Sequence, residues 1–119
     1  MNPIRHIEFW SSNVENSVLF YESFLNILGW VRIDKNGLVC DQTKIYFREK
    51  LISLRETLGP RHICFQANDE KAIDEIASIL KSRGTSILHG SGELHPGSYM
   101  VVFKDPDGYI LEVSYKIKE

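Results

Sequence analysis

His6, His62 and Glu112 are the residues whose types and placement could do chemistry in this chain. Two imidazoles and a carboxylate form a donor set that suits Fe(II), Mn(II), Ni(II) or Zn(II) and leaves open positions for a substrate. The histidines open two near-copies of one segment. These are Arg5-His6-Ile7-Glu8-Phe9 and Arg61-His62-Ile63-Cys64-Phe65, offset by 62 − 6 = 56 residues in a chain of 119. An offset near half the chain length points to an internal repeat. Equivalent positions in two like halves are related by a pseudo-two-fold axis, and such symmetry can aim two imidazoles at one point. Glu112 interrupts the apolar run Tyr109-Ile110-Leu111-Glu112-Val113. A carboxylate buried mid-strand costs on the order of several kcal/mol unless a cation or hydrogen-bond donors compensate it. Each residue also has a plainer reading. A single His early in a strand is most often structural, and Glu112 could simply pair with Arg5 or Arg61.

The elements that must position these groups follow from periodicity. Ile4 to Trp10 alternates as a strand, with His6, Glu8 and Trp10 on one face and Ile7 and Phe9 on the other. Ser11, Ser12 and Asn13 break the run and offer helix caps. Apolar residues then recur at helical spacing from Val14 to Leu28, and Gly29 ends the pattern. Trp30–Asp34, Leu38–Cys40 and Lys44–Glu49 read as strands, with an Asn36-Gly37 turn signal between the first two. Residues 50 to 60 read as a connector, with Arg55 and Glu56 in a short helical turn. The second half repeats the order. Arg61–Ala67 is a strand, and Asn68 or Asp69 caps a helix running to about Arg83. Thr85–His89 is a strand, Gly90–Gly97 a Gly-rich loop, and Tyr99–Lys104 and Tyr109–Tyr115 are strands. Asp105-Pro106-Asp107-Gly108 between them is a strong turn. Two βαβββ modules are therefore expected, about 1–50 and 61–116, in one domain over 1–119. Neither is large enough to close a core alone, so the halves must pack together or exchange with a second chain.

Composition narrows the function classes. Net charge is −2 with no basic run, which argues against nucleic-acid binding through phosphates. A 43% hydrophobic share is ordinary for a globular protein. Cys40 and Cys64 both sit in apolar strand-like runs and are expected as buried free thiols rather than a disulfide framework. No leader peptide and no apolar run near membrane-spanning length is present, so a soluble cytoplasmic protein without membrane contact is expected.

The duplicated order, the two strand-opening histidines and above all Phe103-Lys-Asp-Pro-Asp-Gly-Tyr-Ile-Leu-Glu112 resemble the glyoxalase/bleomycin-resistance/extradiol-dioxygenase group, the vicinal oxygen chelate superfamily. The stretch Asn13 to Tyr21 followed by Leu28-Gly29-Trp30 is similar to its first module. The resemblance covers nearly the whole chain. It implies an α+β fold, an eight-stranded cup of mixed sheet built from two βαβββ modules, with a divalent metal on its floor. The ligands it implies here are His6, His62 and Glu112. A fourth ligand would come from Lys44–Glu49, where Tyr46, Phe47 or Arg48 aligns with Glu112, and none of these is a usual ligand. In glyoxalase I that fourth ligand is a Glu which also moves the substrate proton, so its absence weighs against lactoylglutathione chemistry. Three ligands resemble instead the fosfomycin-resistance proteins, in which the metal polarises an epoxide for attack.

Around such a centre Glu8 is the candidate general base. Tyr99, Arg48 and Ser98, with Lys104, are candidates for substrate contact. His89 and His95, at or within the Gly-rich loop, could cover a pocket, although an exposed, uninvolved loop His is the plainer reading. The expected function is a divalent-metal-dependent enzyme acting on a small oxygen-chelating substrate. It would be either a lyase/isomerase of the lactoylglutathione-lyase type or a fosfomycin-resistance-like transferase or hydrolase, working as a homodimer. The alternative is a metal-free protein that sequesters a small molecule, as bleomycin-resistance proteins do.

Overall fold

The computed structural model describes residues 3–50 and 62–117. The chain divides into two compact units, Met1–Glu56 and Thr57–Glu119. Each unit carries the expected βαβββ order and folds into a four-stranded mixed sheet with one helix, so the fold is α+β. The eight strands among the described residues thus form two four-stranded sheets. The connector turn expected at Arg55 and Glu56 lies outside the described residues.

In the first unit β1 (His6–Ser11) is followed by α1 (Val14–Leu25), a single 3-10 turn over Asn26–Leu28, then β2 (Val31–Asp34), β3 (Gly37–Cys40) and β4 (Thr43–Glu49). The sheet order is β1-β4-β3-β2, with β1 and β4 parallel and the other pairs antiparallel. Alternation decides which side faces the helix. Phe9, Ile45 and Phe47 are buried with Val18, Tyr21, Phe24 and Leu25 of α1. Tyr21 sits 4.7 Å from the Phe47 ring and 5.7 Å from the Phe9 ring, centroid to centroid. At the top of β1 the buried hydroxyls of Ser11 and Ser17 satisfy one another at 2.6 Å, which makes their burial affordable. Asn13 caps α1 by accepting the Asn16 N–H at 3.0 Å, and Gly29, at φ 97°, closes the 3-10 turn in the left-handed conformation that glycine tolerates best.

In the second unit β5 (Ile63–Gln66), α2 (Glu70–Ser82), β6 (Ile87–His95), β7 (Ser98–Lys104) and β8 (Ile110–Lys116) follow one another. The order β5-β8-β7-β6 repeats that of the first unit, again with one parallel pair, β5 with β8. Phe65, Val101, Phe103, Leu111 and Val113 are buried with Ile73, Ile76 and Leu80 of α2. Asp69 provides the cap, accepting the Ala72 N–H at 2.8 Å. In the Asp-Pro-Asp-Gly turn the Asp105 carboxylate accepts the N–H groups of Asp107 and Tyr109, both at 2.9 Å, and Gly108 takes φ 96°. Each hydrogen bond compensates for burying Asp105.

Two expectations fail here. The stretch Gly90–Gly97 is not a loop. β6 runs through it to His95 and pairs with β7, with register shifts at three points along the pair. Only Pro96-Gly97 turns, and Gly97 has φ 80°. Glycines weaken a strand and permit bulges, but ladder pairing to β7 outweighs that weakness. The second failure is Cys64, which is exposed rather than buried, while Cys40 is half-buried. Cys64 shares the strand face of His62 and Gln66, not that of Phe65, so the apolar character of its neighbours says nothing about its own side.

Candidate functional site

The register places Glu8, Tyr46, Arg48, Ser98 and Glu112 on the sheet faces turned away from the helices. In the parallel pair β5–β8, Cys64 lies opposite Glu112 and Gln66 opposite Ser114. In β1–β4, His6 lies opposite Lys44, Glu8 opposite Tyr46 and Trp10 opposite Arg48. Aligning His6 with His62 puts Glu8 at the place of Cys64, and its strand partner Tyr46 at the place of Glu112. The three-way choice left by the sequence therefore resolves to Tyr46.

In the second unit the expected pair comes together. His62 Nε2 is 3.4 Å from Glu112 Oε2, and the two side chains are 34% and 17% exposed. The imidazole is the polar partner that a carboxylate at this depth requires. Beside them Cys64 Sγ and Ser114 Oγ share a hydrogen bond at 3.2 Å. Partial burial, and after it the nearby Glu112 charge, push the Cys64 thiol above its usual range, against the Ser114 hydrogen bond, which lowers it. A neutral thiol beside the His–carboxylate pair is therefore the resting state at neutral pH.

The first unit holds a different set. His6 is exposed, and its ring meets Tyr46 edge-on at 6.1 Å. Glu8 pairs with Arg48 through two contacts of 3.4 Å, Nε to Oε1 and Nη2 to Oε2. Both side chains are well exposed, so this pair contributes at most about 1 kcal/mol. A hollow of about 1000 Å³ in this unit is lined by His6, Glu8, Tyr46 and Arg48 among others. The hollow and the His62–Glu112 pair thus belong to different units.

Why Tyr46 and Glu112 behave differently is visible across the sheet. Gly37 lies opposite Tyr46, and Val102 lies opposite Glu112. A methyl group placed on Gly37 would be 2.8 Å from two carbons of the Tyr46 ring. The ring therefore lies over the bare backbone of Gly37. Glu112 has no such gap beside it.

The other candidates are dispersed. Tyr99 is placed opposite Tyr115, in the alternation that includes Val101 and Phe103, and its hydroxyl donates to Asp74 of α2 at 2.6 Å. It thus stands on the helix side of the sheet, away from the Glu112 face, because it is an odd number of residues from Val102. Ser98 is on the Glu112 face, half-buried and in weak contact with Met100 Sδ at 3.9 Å. Lys104 is exposed at the far end of β7 on that face. His89, expected at the end of a strand where the Gly-rich loop begins, is inside strand β6, and its Nδ1 is buried. Among the described residues no group of three or more His, Cys, Asp and Glu side chains is arranged to hold a metal ion. Within its own unit the His62–Glu112 pair offers two donors of the right chemistry.

This chain belongs to the Glyoxalase/Bleomycin resistance protein/Dioxygenase superfamily, whose sequence profile matches residues 4–113. An uncharacterized protein of Bacillus subtilis (strain 168), YqjT, is 26% identical over 92% of this chain and 96% of its own length. Among solved structures, a Bacillus halodurans protein provisionally assigned as a glyoxalase is similar in fold, with a TM-score of 0.81, 24% identity and coverage of 95% of each chain. A lactoylglutathione lyase from Agrobacterium tumefaciens has a TM-score of 0.66 and 18% identity, covering 97% of this chain and 94% of its own. Among the described residues no helix is long and apolar enough to cross a membrane.

Proposed function

We propose that the protein is a divalent-metal-dependent enzyme that acts on a small, oxygen-chelating substrate. The observation that carries the reading is the His62–Glu112 pair, an imidazole and a carboxylate 3.4 Å apart on the face turned from the helix. His62 and Glu112 would hold the ion with His6 as third donor, the protein working as a homodimer in the cytoplasm. A bound divalent ion supplies Lewis acidity, stabilising charge that builds up on a substrate oxygen.

The chain's own residues then divide the remaining work. Glu8 lies two residues from His6 on the same strand face and accepts the proton, oriented by the Arg48 guanidinium. Arg48 and Ser98 are the candidates for contact with polar groups of the substrate. Tyr46 argues for the branch of the superfamily that opens an electrophile over the lactoylglutathione-lyase branch. That lyase uses a carboxylate in this position to accept and return the substrate proton, and a phenol does not take over that role. Tyr99, tied to Asp74, is not assigned a role at the substrate.

Metal analysis of protein purified without a His tag tests the reading. Stoichiometric metal that is lost in His62→Ala is the expected result; unchanged content in that variant rejects the ligand assignment. A second reading is a metal-free binding protein that sequesters a small molecule. It is favoured by Tyr46 at the fourth position and by the lack of a three-donor group among the described residues. Metal-free protein that still binds small oxyanions with unchanged affinity after His62→Ala would select it.

A further inference from the structure

Among the described residues β6 is the outermost strand of the second sheet, the place that β2 holds in the first. The two edges are built differently. β2 has four residues, and two of them, Arg32 and Asp34, are charged. Short length and charge are the usual protection of an edge whose N–H and C=O groups point to solvent. β6 has nine residues, no proline, no lysine or arginine, and a single carboxylate, Glu93. It also displays two large apolar side chains, Leu88 at 50% and Leu94 at 42% exposure.

The strand is close to a palindrome. Leu88-His89-Gly90-Ser91-Gly92-Glu93-Leu94 runs almost alike in both directions from Ser91. Two antiparallel copies about a two-fold axis at Ser91 set Leu88 opposite the partner's Leu94, Gly90 opposite the partner's Gly92 and Ser91 opposite the partner's Ser91. Directly opposed residues on antiparallel strands interact as pairs, and like charges there are unfavourable. Glu93 lies opposite the partner's His89 and never opposite another carboxylate. A methyl group built on Gly90 or Gly92 meets nothing within 4 Å, so open space lies beside both. Bulges can guard an edge by bending it away from a partner. Here the register shifts between Ile87 and His89 and between Glu93 and His95 sit symmetrically about Ser91. The same axis therefore sets bulged segment against bulged segment and keeps the residue count equal on the two strands.

We propose that β6 is where two copies of this chain join, edge to edge and antiparallel about Ser91. Their second sheets, of four strands each, become one continuous sheet. The interface is isologous, so it closes at two copies. Main-chain hydrogen bonds along roughly 30 Å of strand supply affinity, and the two leucine pairs fix the register. The inference rests on the homodimer of the proposed function and names its surface; it asks nothing of the metal.

Ser91 is exposed, so it accepts a charge without disturbing the core. Sedimentation velocity over a concentration series compares wild-type protein with Ser91→Lys, Ser91→Glu and their equimolar mixture. Each variant alone opposes like charges at the axis and is expected to weaken the dimer about fivefold at low salt. The mixture opposes unlike charges and is expected to recover it. In wild-type protein, amide hydrogen exchange along β6 is expected to slow as concentration rises, while β2 stays unchanged. A dimer untouched by either charge overturns the inference and leaves the homodimer and the metal reading standing. So does a dimer whose β6 amides exchange at one rate at every concentration, a readout that needs no variant. Loss of the dimer in both variants without recovery on mixing also overturns it. A wild-type chain that stays monomeric overturns both the inference and the homodimer, and metal content then tests His62 and Glu112 on its own.

Discussion

The two units share a topology and differ in what they display. Each buries the same alternation under its helix, Phe9 with Ile45 and Phe47 in one, Phe65 with Leu111 and Val113 in the other. On the opposite faces the matched positions are unlike. His6 meets a phenol and Glu8 an arginine, whereas His62 meets a carboxylate and Cys64 a serine. The difference teaches that packing constrains one face of each sheet and leaves the other free to change. Across the ladder Gly37 faces Tyr46 and leaves room for its ring, where Val102 faces Glu112.

The largest effects should come where the units are alike. Phe47→Ala is expected to cost about 3–5 kcal/mol and Leu111→Ala about 2–5 kcal/mol, because both side chains are buried against a helix. Denaturant unfolding of each variant measures this, and a loss below 1 kcal/mol for either would show that the alternation does not carry the core.

Where the units differ, Gly37→Val makes the first resemble the second. It should destabilise by about 1–3 kcal/mol through collision with the Tyr46 ring. The same substitution in a Tyr46→Glu background should cost less, and a double-mutant cycle with no coupling would show that Gly37 does not accommodate the ring. On the proposed function, Tyr46→Glu also offers a fourth donor and should tighten Zn(II) binding by about tenfold, the scale of one charged contact. Isothermal titration with unchanged affinity would remove Tyr46 from the ligand position.

Helix caps test a quieter equivalence. Asn13→Ala and Asp69→Ala should each lose about 1 kcal/mol, since each removes the acceptor for one orphan N–H. Thermal melts that separate the two by several-fold would break the parallel. Arg48→Ala should be the mildest, under about 1 kcal/mol in stability, because its pairing with Glu8 is exposed to water. A larger loss in unfolding experiments would mean that Arg48 has a packing role.

Much of this was legible in the residues. Period-2 runs, helical spacing, capping residues and the Asp105–Gly108 turn are local signals, and apart from the ends of α1 and β6 they placed the elements within about two residues. The repeat of Arg-His-Ile pointed to the matched strands, and the apolar run around Glu112 pointed to its need for a polar partner. Local composition misled at Gly90–Gly97, where pairing to β7 overrode glycine's poor strand propensity, and at Cys64, where apolar neighbours concealed an outward face.

What the chain determined by itself was therefore which residues alternate and where elements start and stop, because those depend on neighbours within a few positions. Tertiary structure alone decided which strand lies beside which and in what register. That register joins Glu112 to His62, ties Tyr99 to Asp74 and puts Tyr46 at the fourth position. The physical reason is that a ladder's hydrogen bonds are made by the backbone, which is the same for every residue, so the choice of partner is settled only when both sheet faces and the helix pack together.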